Sequence, residues 1–166
     1  MSRLLILIIA LFSFSCCAEE ESNHVKFIYA GFDFYVPSNP TVVGVKGGED
    51  NFTFFRFGSE KGSDYLAFTD ITNESIDYGC SAQEFYAHLA GVSDISTCSK
   101  SEIDSFKKIF VGDSEVGEWA SDKLVSYYFY NRSKSALLIF SKDKIIKIDT
   151  DYLSMPDLKN IIRNYL

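Results

Sequence analysis

A chain of 166 residues, of which 46% are hydrophobic and 23% are charged, has the length and composition of about one globular domain. These proportions exclude a disordered, collagen-like or low-complexity chain. The formal net charge of −7 argues against nucleic-acid binding, which needs clustered Lys and Arg, and against attraction to anionic lipid by charge alone. Aromatic residues make up 16% of the chain, and this surplus is the most unusual feature of the composition.

The N-terminus is laid out as an export signal. Arg3 gives a short positive start, an uninterrupted apolar run follows over residues 4–12, and small residues then precede an acidic run. A membrane-spanning helix needs about 20 apolar residues, which is more than this run supplies. We therefore predict an export signal over residues 1–18, a short polar tether over 19–24 and a single domain over 25–166. A retained anchor helix is the alternative for the signal.

Cys16 marks the predicted cleavage point. The signal ends in segment 11–16 (LFSFSC), which resembles the lipobox of bacterial lipoproteins. In that family a small residue, here Ser15, precedes a Cys that is acylated and becomes the first residue after cleavage. The resemblance implies lipidation of Cys16 and a periplasmic or outer-membrane protein that contacts the membrane through its lipid anchor only. Cleavage after Ala18, which would release a soluble secreted protein, is the alternative.

Two further cysteines, Cys80 and Cys98, lie inside the predicted domain. In an exported chain an even pair of cysteines predicts a disulfide, here one that closes a loop over a short helix. Such a bridge contributes about 3 kcal/mol to stability by the loop-entropy estimate. Neither cysteine has a second ligand at the two-to-four-residue spacing of zinc sites, so we predict no metal there. Free thiols are the remaining alternative.

Alternation of apolar and polar residues predicts five strands in the first half of the chain, joined as antiparallel hairpins. These strands span residues 25–30, 32–36, 41–46, 51–57 and 64–71. Two capping patterns follow: Ser81 with Glu84 opens a short helix, and Ser99 with Glu102 opens a helical turn that reaches about residue 106.

Strands return in the second half, and a helix closes the chain. The predicted strands span residues 107–111, 116–120, 123–130, 136–141 and 145–150. Ser154 then caps a C-terminal helix whose apolar residues fall at helical spacing up to Tyr165. The order of elements predicts an α+β fold, an antiparallel sheet of hairpins covered by a short central helix and a C-terminal helix.

The order of elements also resembles a known architecture. Segment 32–38 (FDFYVPS) looks like the opening of the PsbP-like fold, and the hairpins of residues 124–150 with the helix of 158–166 resemble its ending. That fold occurs in the photosystem accessory protein and in small bacterial lipoproteins of the DcrB kind. The resemblance covers residues 25–166 and implies the fold alone, because its members share no single activity.

Catalytic motifs are incomplete. A predicted strand running into Gly112-Asp113-Ser114 is similar to the nucleophile segment of GDSL-type esterases. That family supplies its general base from an Asp-x-x-His near the C-terminus, whereas no His follows His88 in this chain. We therefore predict no enzyme and no catalytic residue, and hydrolysis by Ser114 is a minor alternative.

Metal and cofactor motifs are also incomplete. Asp149 with Asp151, and Glu115 with Glu118, place carboxylates close together, but Ca²⁺ needs six to eight oxygens and no ligand loop is present. The chain has no Gly-rich loop followed by Lys-Ser or Lys-Thr to hold a phosphate. We predict no metal and no cofactor.

The aromatic surplus is concentrated on two predicted strands. Because a strand sends alternate residues to opposite faces, one row enters the core and the other packs under a helix or stays exposed. An exposed row would mark a surface for a partner. The residues that we predict for partner binding are Phe52, Phe54, Tyr128 and Tyr130.

Taken together, these features predict a non-catalytic cell-envelope lipoprotein that acts as a protein-binding or assembly-supporting module. The alternative is an immunity protein that neutralises a secreted antibacterial effector, since an acidic face can pair with the active site of a basic toxin. A ligand carrier is a further alternative. We expect a protein partner in the envelope and no nucleic acid.

Overall fold

The computed structural model describes residues 23–48, 51–94 and 97–166. The predicted export signal and the Cys16 lipidation site lie outside them. Within the described residues the chain forms strands β1 (His24–Tyr29), β2 (Phe32–Pro37), β3 (Val42–Lys46), β4 (Phe52–Arg56), β5 (Tyr65–Asp70), β6 (Glu115–Ala120), β7 (Val125–Tyr130), β8 (Ser135–Phe140) and β9 (Ile145–Thr150). The α-helices are α1 (Ala82–Leu89), α2 (Lys100–Phe106) and α3 (Met155–Asn160). This architecture confirms the predicted α+β class.

Seven strands form one antiparallel sheet in the order β3-β4-β5-β9-β8-β7-β6. Two meanders, β3 to β5 and β6 to β9, join where β5 pairs with β9. The hairpin of β1 and β2 forms a separate two-stranded sheet. The predicted hairpins are present within the β1–β2 unit and within each meander, but β2 does not pair with β3 in the described residues. The long-range β5–β9 pairing makes one sheet from the two meanders.

The first face of the large sheet packs against the β1–β2 hairpin and α3. Alternate strand residues, among them Leu66, Phe68 and Ile148, enter this core and are fully buried. Phe34 of β2 and Leu158 of α3 meet them from the covering layer and are also fully buried. Burial of each such side chain contributes about 1.5–3 kcal/mol, so this core anchors both covering elements to the sheet.

The second face of the sheet is covered on one side only. Phe85 and Tyr86 of α1 pack with Phe129 of β7 and Leu138 of β8, and α2 joins the same cluster through Ile103. Among the described residues, this cluster takes no side chain from β3, β4 or β5. The helices therefore leave the β3–β5 half of the second face uncovered.

Serine caps begin all three helices, as the sequence predicts. Ser81 and Glu84 form the reciprocal capping box of α1, and Ser99 and Ser154 cap α2 and α3. The C-terminal helix is shorter than predicted, because α3 gives way to a 3-10 turn at Arg163–Tyr165.

The predicted strand over residues 107–111 is wrong. This segment is a π-helical turn, Lys107–Val111, that continues directly from α2 and ends at Gly112, whose φ is +40°. Phe106 and Phe110 lie four residues apart and stack at 5.5 Å between ring centroids against the α1 core. Helical spacing of these two rings decides the conformation, although the segment is rich in residues that favour strands.

Candidate binding surface

The uncovered half of the second face forms an open groove with a volume of about 620 Å³. We call it the aromatic groove. Its floor consists of Phe52, Phe54, Tyr65 and Ala67, and its charged rim consists of Arg56, Lys61, Lys134, Lys147 and Asp149. Phe52 and Phe54 are half-buried and belong to neither core cluster of the described chain.

Strand register explains why the floor is aromatic. Phe52 and Phe54 are two residues apart on β4, so both point to the second face, and their rings stack at 5.8 Å. Phe54 stands opposite Gly44 of β3, and a Cβ on that glycine would overlap the Phe54 ring. The absence of a side chain at Gly44 therefore lets the ring lie across the neighbouring strand.

Three cations gather at one end of the groove. Arg56 ends β4, Lys61 lies in the β4–β5 loop and Lys134 lies in the β7–β8 turn. Lys61 and Lys134 are exposed, and no hydrogen bond or ion pair of their side chains occurs within the described part of the chain. The Nε atom of Arg56 is buried and also lacks an acceptor there. This end of the groove therefore carries three cations that form no ion pair within the described residues.

The wall on the helix side is a charged pair on β9. Lys147 Nζ lies 2.9 Å from a carboxylate oxygen of Asp149, and both side chains are largely buried. The Lys147 ammonium also lies 5.5 Å from the ring centroid of Phe110. These contacts hold Lys147 against the helix layer, so its charge is already compensated.

Tyr65 places a hydroxyl in the same groove. Burial raises the pKa of this hydroxyl, and the carboxylates of Asp149 and Asp151 raise it further. The group therefore stays protonated at neutral pH. It supplies a hydrogen-bond donor beside the aromatic floor.

The structure does not bring the four predicted partner-binding residues together. Phe52 and Phe54 lie in the groove, whereas Tyr128 and Tyr130 pack against the core on the opposite face of the sheet. The Tyr128 ring stacks on Trp119 at 4.5 Å and covers Gly117, where a Cβ would overlap it. Tyr128 and Phe54 thus fill equivalent positions, each over a glycine of the neighbouring strand.

The rim was not found by sequence reasoning. Its cations come from β4, a loop, a turn and β9, and only the sheet pairing brings these segments to one place. One local signal was available. Arg56 lies two residues after Phe54 and four after Phe52, so a strand there must place all three side chains on one face. Lys134 has no such signal, because it reaches the groove from another meander.

The two cysteines form the predicted disulfide between Cys80 and Cys98, which are 18 residues apart. Cys98 is buried in the helix-side core, and Cys80 packs against it partly buried. The bridge joins the start of α1 to the start of α2. It fixes the loop between the two helices that cover the second face.

Ser114 and His88 make separate contacts. The backbone N–H of Ser114 donates to Val111 at 2.6 Å, and Nδ1 of His88 lies 3.1 Å from the Ser93 carbonyl. No hydrogen bond joins Ser114 to His88 in the described residues. The segment before Ser114 is a π-helical turn rather than the strand that the esterase comparison assumes.

Two of the four carboxylates singled out in the sequence, Asp149 and Asp151, have partners within the protein. Asp149 pairs with Lys147, and the Asp151 carboxylate accepts a hydrogen bond from the Tyr65 backbone N–H at 2.8 Å. Residues 23–48, 51–94 and 97–166 contain no group of three or more His, Cys, Asp or Glu side chains placed to hold a metal ion.

Comparison with protein-family models, with curated proteins and with solved structures gives no match. The resemblances to bacterial lipoproteins and to the PsbP-like fold therefore stay predictions. No helix of the described chain is long and apolar enough to cross a membrane.

Proposed function

We propose that this chain is a non-catalytic lipoprotein of the cell envelope that binds a protein partner through the aromatic groove. The observation that carries the proposal is the uncovered half of the large sheet, where Phe52 and Phe54 lie outside both cores. Covering these rings with a partner removes apolar surface from water, which favours association. The rigid sheet beneath the rings holds them in place before a partner arrives.

Attachment through Cys16 belongs to the same proposal. A lipid on this residue would place the domain at a periplasmic or outer-membrane surface, about one short tether away from the bilayer. A fixed position favours a module that holds or supports another envelope protein, because both partners then stay at one surface.

The immunity hypothesis requires a different surface. A basic toxin pairs with an acidic face, whereas the aromatic groove carries four cations and one carboxylate. A second cleft of about 790 Å³, lined by Asp70 and Glu74 and by no cation of the described chain, would suit such a toxin better than the groove does.

Photo-crosslinking in living cells tests the proposal. The photoreactive residue p-benzoylphenylalanine replaces Phe52 or Phe54 in separate strains, and we expect a discrete crosslinked species from each. Ile28 is the matched control, because it is an exposed apolar residue of the β1–β2 hairpin, away from the groove. Absence of a crosslink at both Phe positions, or the same species from the Ile28 control, would contradict the proposal.

A further inference from the structure

The charge of the aromatic groove is opposite to that of the whole protein. The chain has a formal net charge of −7, yet the groove is lined by four cations against Asp149 alone. A local reversal of sign selects partners by charge, because like charges across an interface are unfavourable and opposite charges steer encounter. The expected partner segment is therefore acidic.

Positive charge and apolar surface occupy different parts of the groove. Lys147 is paired with Asp149, which leaves Arg56, Lys61 and Lys134 as the uncompensated cations, all at the end where β4 finishes and β8 begins. Phe52 and Phe54 extend away from this end along β4. A ligand that satisfies both parts must carry an anionic group at one end and apolar groups beyond it.

The shape of the groove favours a polypeptide segment over a small molecule. Small-molecule sites enclose most of the surface of their ligand. Here the sheet forms a floor and the Lys147 side forms one wall, while β3 on the other side is an edge strand with no neighbouring strand in the described sheet. An open trough of this kind accepts a segment that enters and leaves along the sheet surface.

We infer that the partner binds the aromatic groove with an acidic segment, whose carboxylates contact Arg56, Lys61 and Lys134 and whose aromatic or aliphatic side chains pack on Phe52 and Phe54. This inference rests on the proposed function and names the chemistry of the partner.

Selection from a phage-displayed library of random dodecapeptides on the purified chain tests the inference. We expect enrichment of clones that combine Asp or Glu with Phe, Tyr, Trp or Leu. A synthetic copy of an enriched peptide should bind about tenfold more weakly to the Lys61→Gln/Lys134→Gln variant, because two charge contacts are lost. Raised salt should weaken its binding to the wild-type chain.

The matched control is Lys123→Gln/Lys142→Gln, which removes the same charge from two exposed lysines in turns outside the groove. We expect unchanged peptide binding in this control. All four substituted lysines are exposed, so both variants should fold, and circular dichroism checks this. Arg56→Gln provides an independent third variant with the expected loss of affinity.

The outcomes separate this inference from the proposed function. Three outcomes would contradict the inference that the partner segment is acidic: enrichment of basic peptides, no enrichment, or equal binding of the peptide to both lysine variants. In a further outcome, a selected peptide loses affinity for the Phe54→Ser variant and keeps its affinity for the Lys61→Gln/Lys134→Gln variant. That result would confirm the groove as the binding site and would contradict its preference for acidic partners. Saturable binding of dodecanoate at the groove without any selected peptide would instead assign it to a small amphiphile and overturn the inference.

Discussion

Phe54 lies across the β3–β4 pair because Gly44 has no side chain. A Cβ at this position would overlap the ring, so Gly44→Ala must push Phe54 out of the groove floor. Phe54 is half-buried and faces an open groove, so its ring can swing aside, and we expect the free energy of unfolding measured by urea denaturation to fall by no more than about 1 kcal/mol. The substitution should also abolish the crosslink from position 52, because Phe52 stacks on the displaced ring.

Gly47→Ala is the control for this prediction. Gly47 lies in the adjoining loop, and a Cβ there meets no atom within 4 Å. Its stability should change by less than about 0.5 kcal/mol. An unchanged crosslink from position 52 in the Gly44→Ala variant would show that the Phe54 ring does not depend on the space above Gly44.

Asp70 is the acid with the clearest pH-dependent role. Burial by itself would raise the pKa of the Asp70 carboxyl, but hydrogen bonds from Lys144 and Thr72 outweigh burial and lower the pKa below its ordinary value of 3.8. A lowered folded-state pKa means that the unfolded chain binds more protons. The stabilising contribution is therefore present above pH 3.8 and is lost as the pH falls through the folded-state pKa.

Asp70→Asn should lower the free energy of unfolding by about 1 kcal/mol at neutral pH, a modest value because the Lys144 side chain is partly exposed. The difference from wild type should shrink as the pH falls below 3.8 and through the folded-state pKa of Asp70, because protonation removes the charge that Asn also lacks. Urea denaturation across this range measures the effect. Asp143→Asn removes an exposed carboxylate without an ion pair in the described chain, and a comparable pH-dependent loss in that variant would refute the assignment to Asp70.

At the scale of elements, the Cys80–Cys98 bridge links α1 and α2, the two helices that cover half of the second face of the large sheet. Cys80→Ser/Cys98→Ser should lower the free energy of unfolding by about 3 kcal/mol, since the unfolded chain gains the freedom of the opened loop. Reduction of the wild-type chain with dithiothreitol should give the same loss and should leave the double variant unchanged. A further loss in the reduced double variant would point to a different source of stability.

Local signals explain which elements were predictable. The Ser81 and Ser154 caps act within one turn, and each hairpin is set by its own alternation and turn, so the sequence states them directly. The π-helical turn at Lys107–Val111 depends on Phe106 and Phe110 stacking against α1, a tertiary contact that overrides the strand preference of the segment.

Only half of the candidate site could be predicted from the sequence, because only that half depends on local signals. Phe52 and Phe54 follow from alternation on one strand, whereas the assignment of Tyr128 and Tyr130 to the opposite face depends on where α3 packs. The alternation of side chains along a strand predicts only that there are two rows of aromatic residues, one on each face. It does not say which row a helix covers.

At the scale of the whole molecule, topology creates the groove. Both covering helices of the second face lie in the single connection from β5 to β6, and they pack over the second meander. The first meander has only the β1–β2 hairpin and α3, which cover its other face. One half-face of a seven-stranded sheet is consequently left without a partner inside the described chain.

The predicted lipid anchor at Cys16 would determine where in the cell the aromatic groove meets its partner. If Cys16 is the acylated residue, cells grown with labelled palmitate should label the wild-type chain, and Cys16→Ser should abolish the label. Cys17→Ser is the matched control and should keep it, because acylation needs the cysteine at the cleavage point rather than its neighbour. No label on the wild-type chain, or undiminished label when both cysteines are replaced, would overturn the lipoprotein assignment. The partner of the groove would then have to be sought outside the membrane surface.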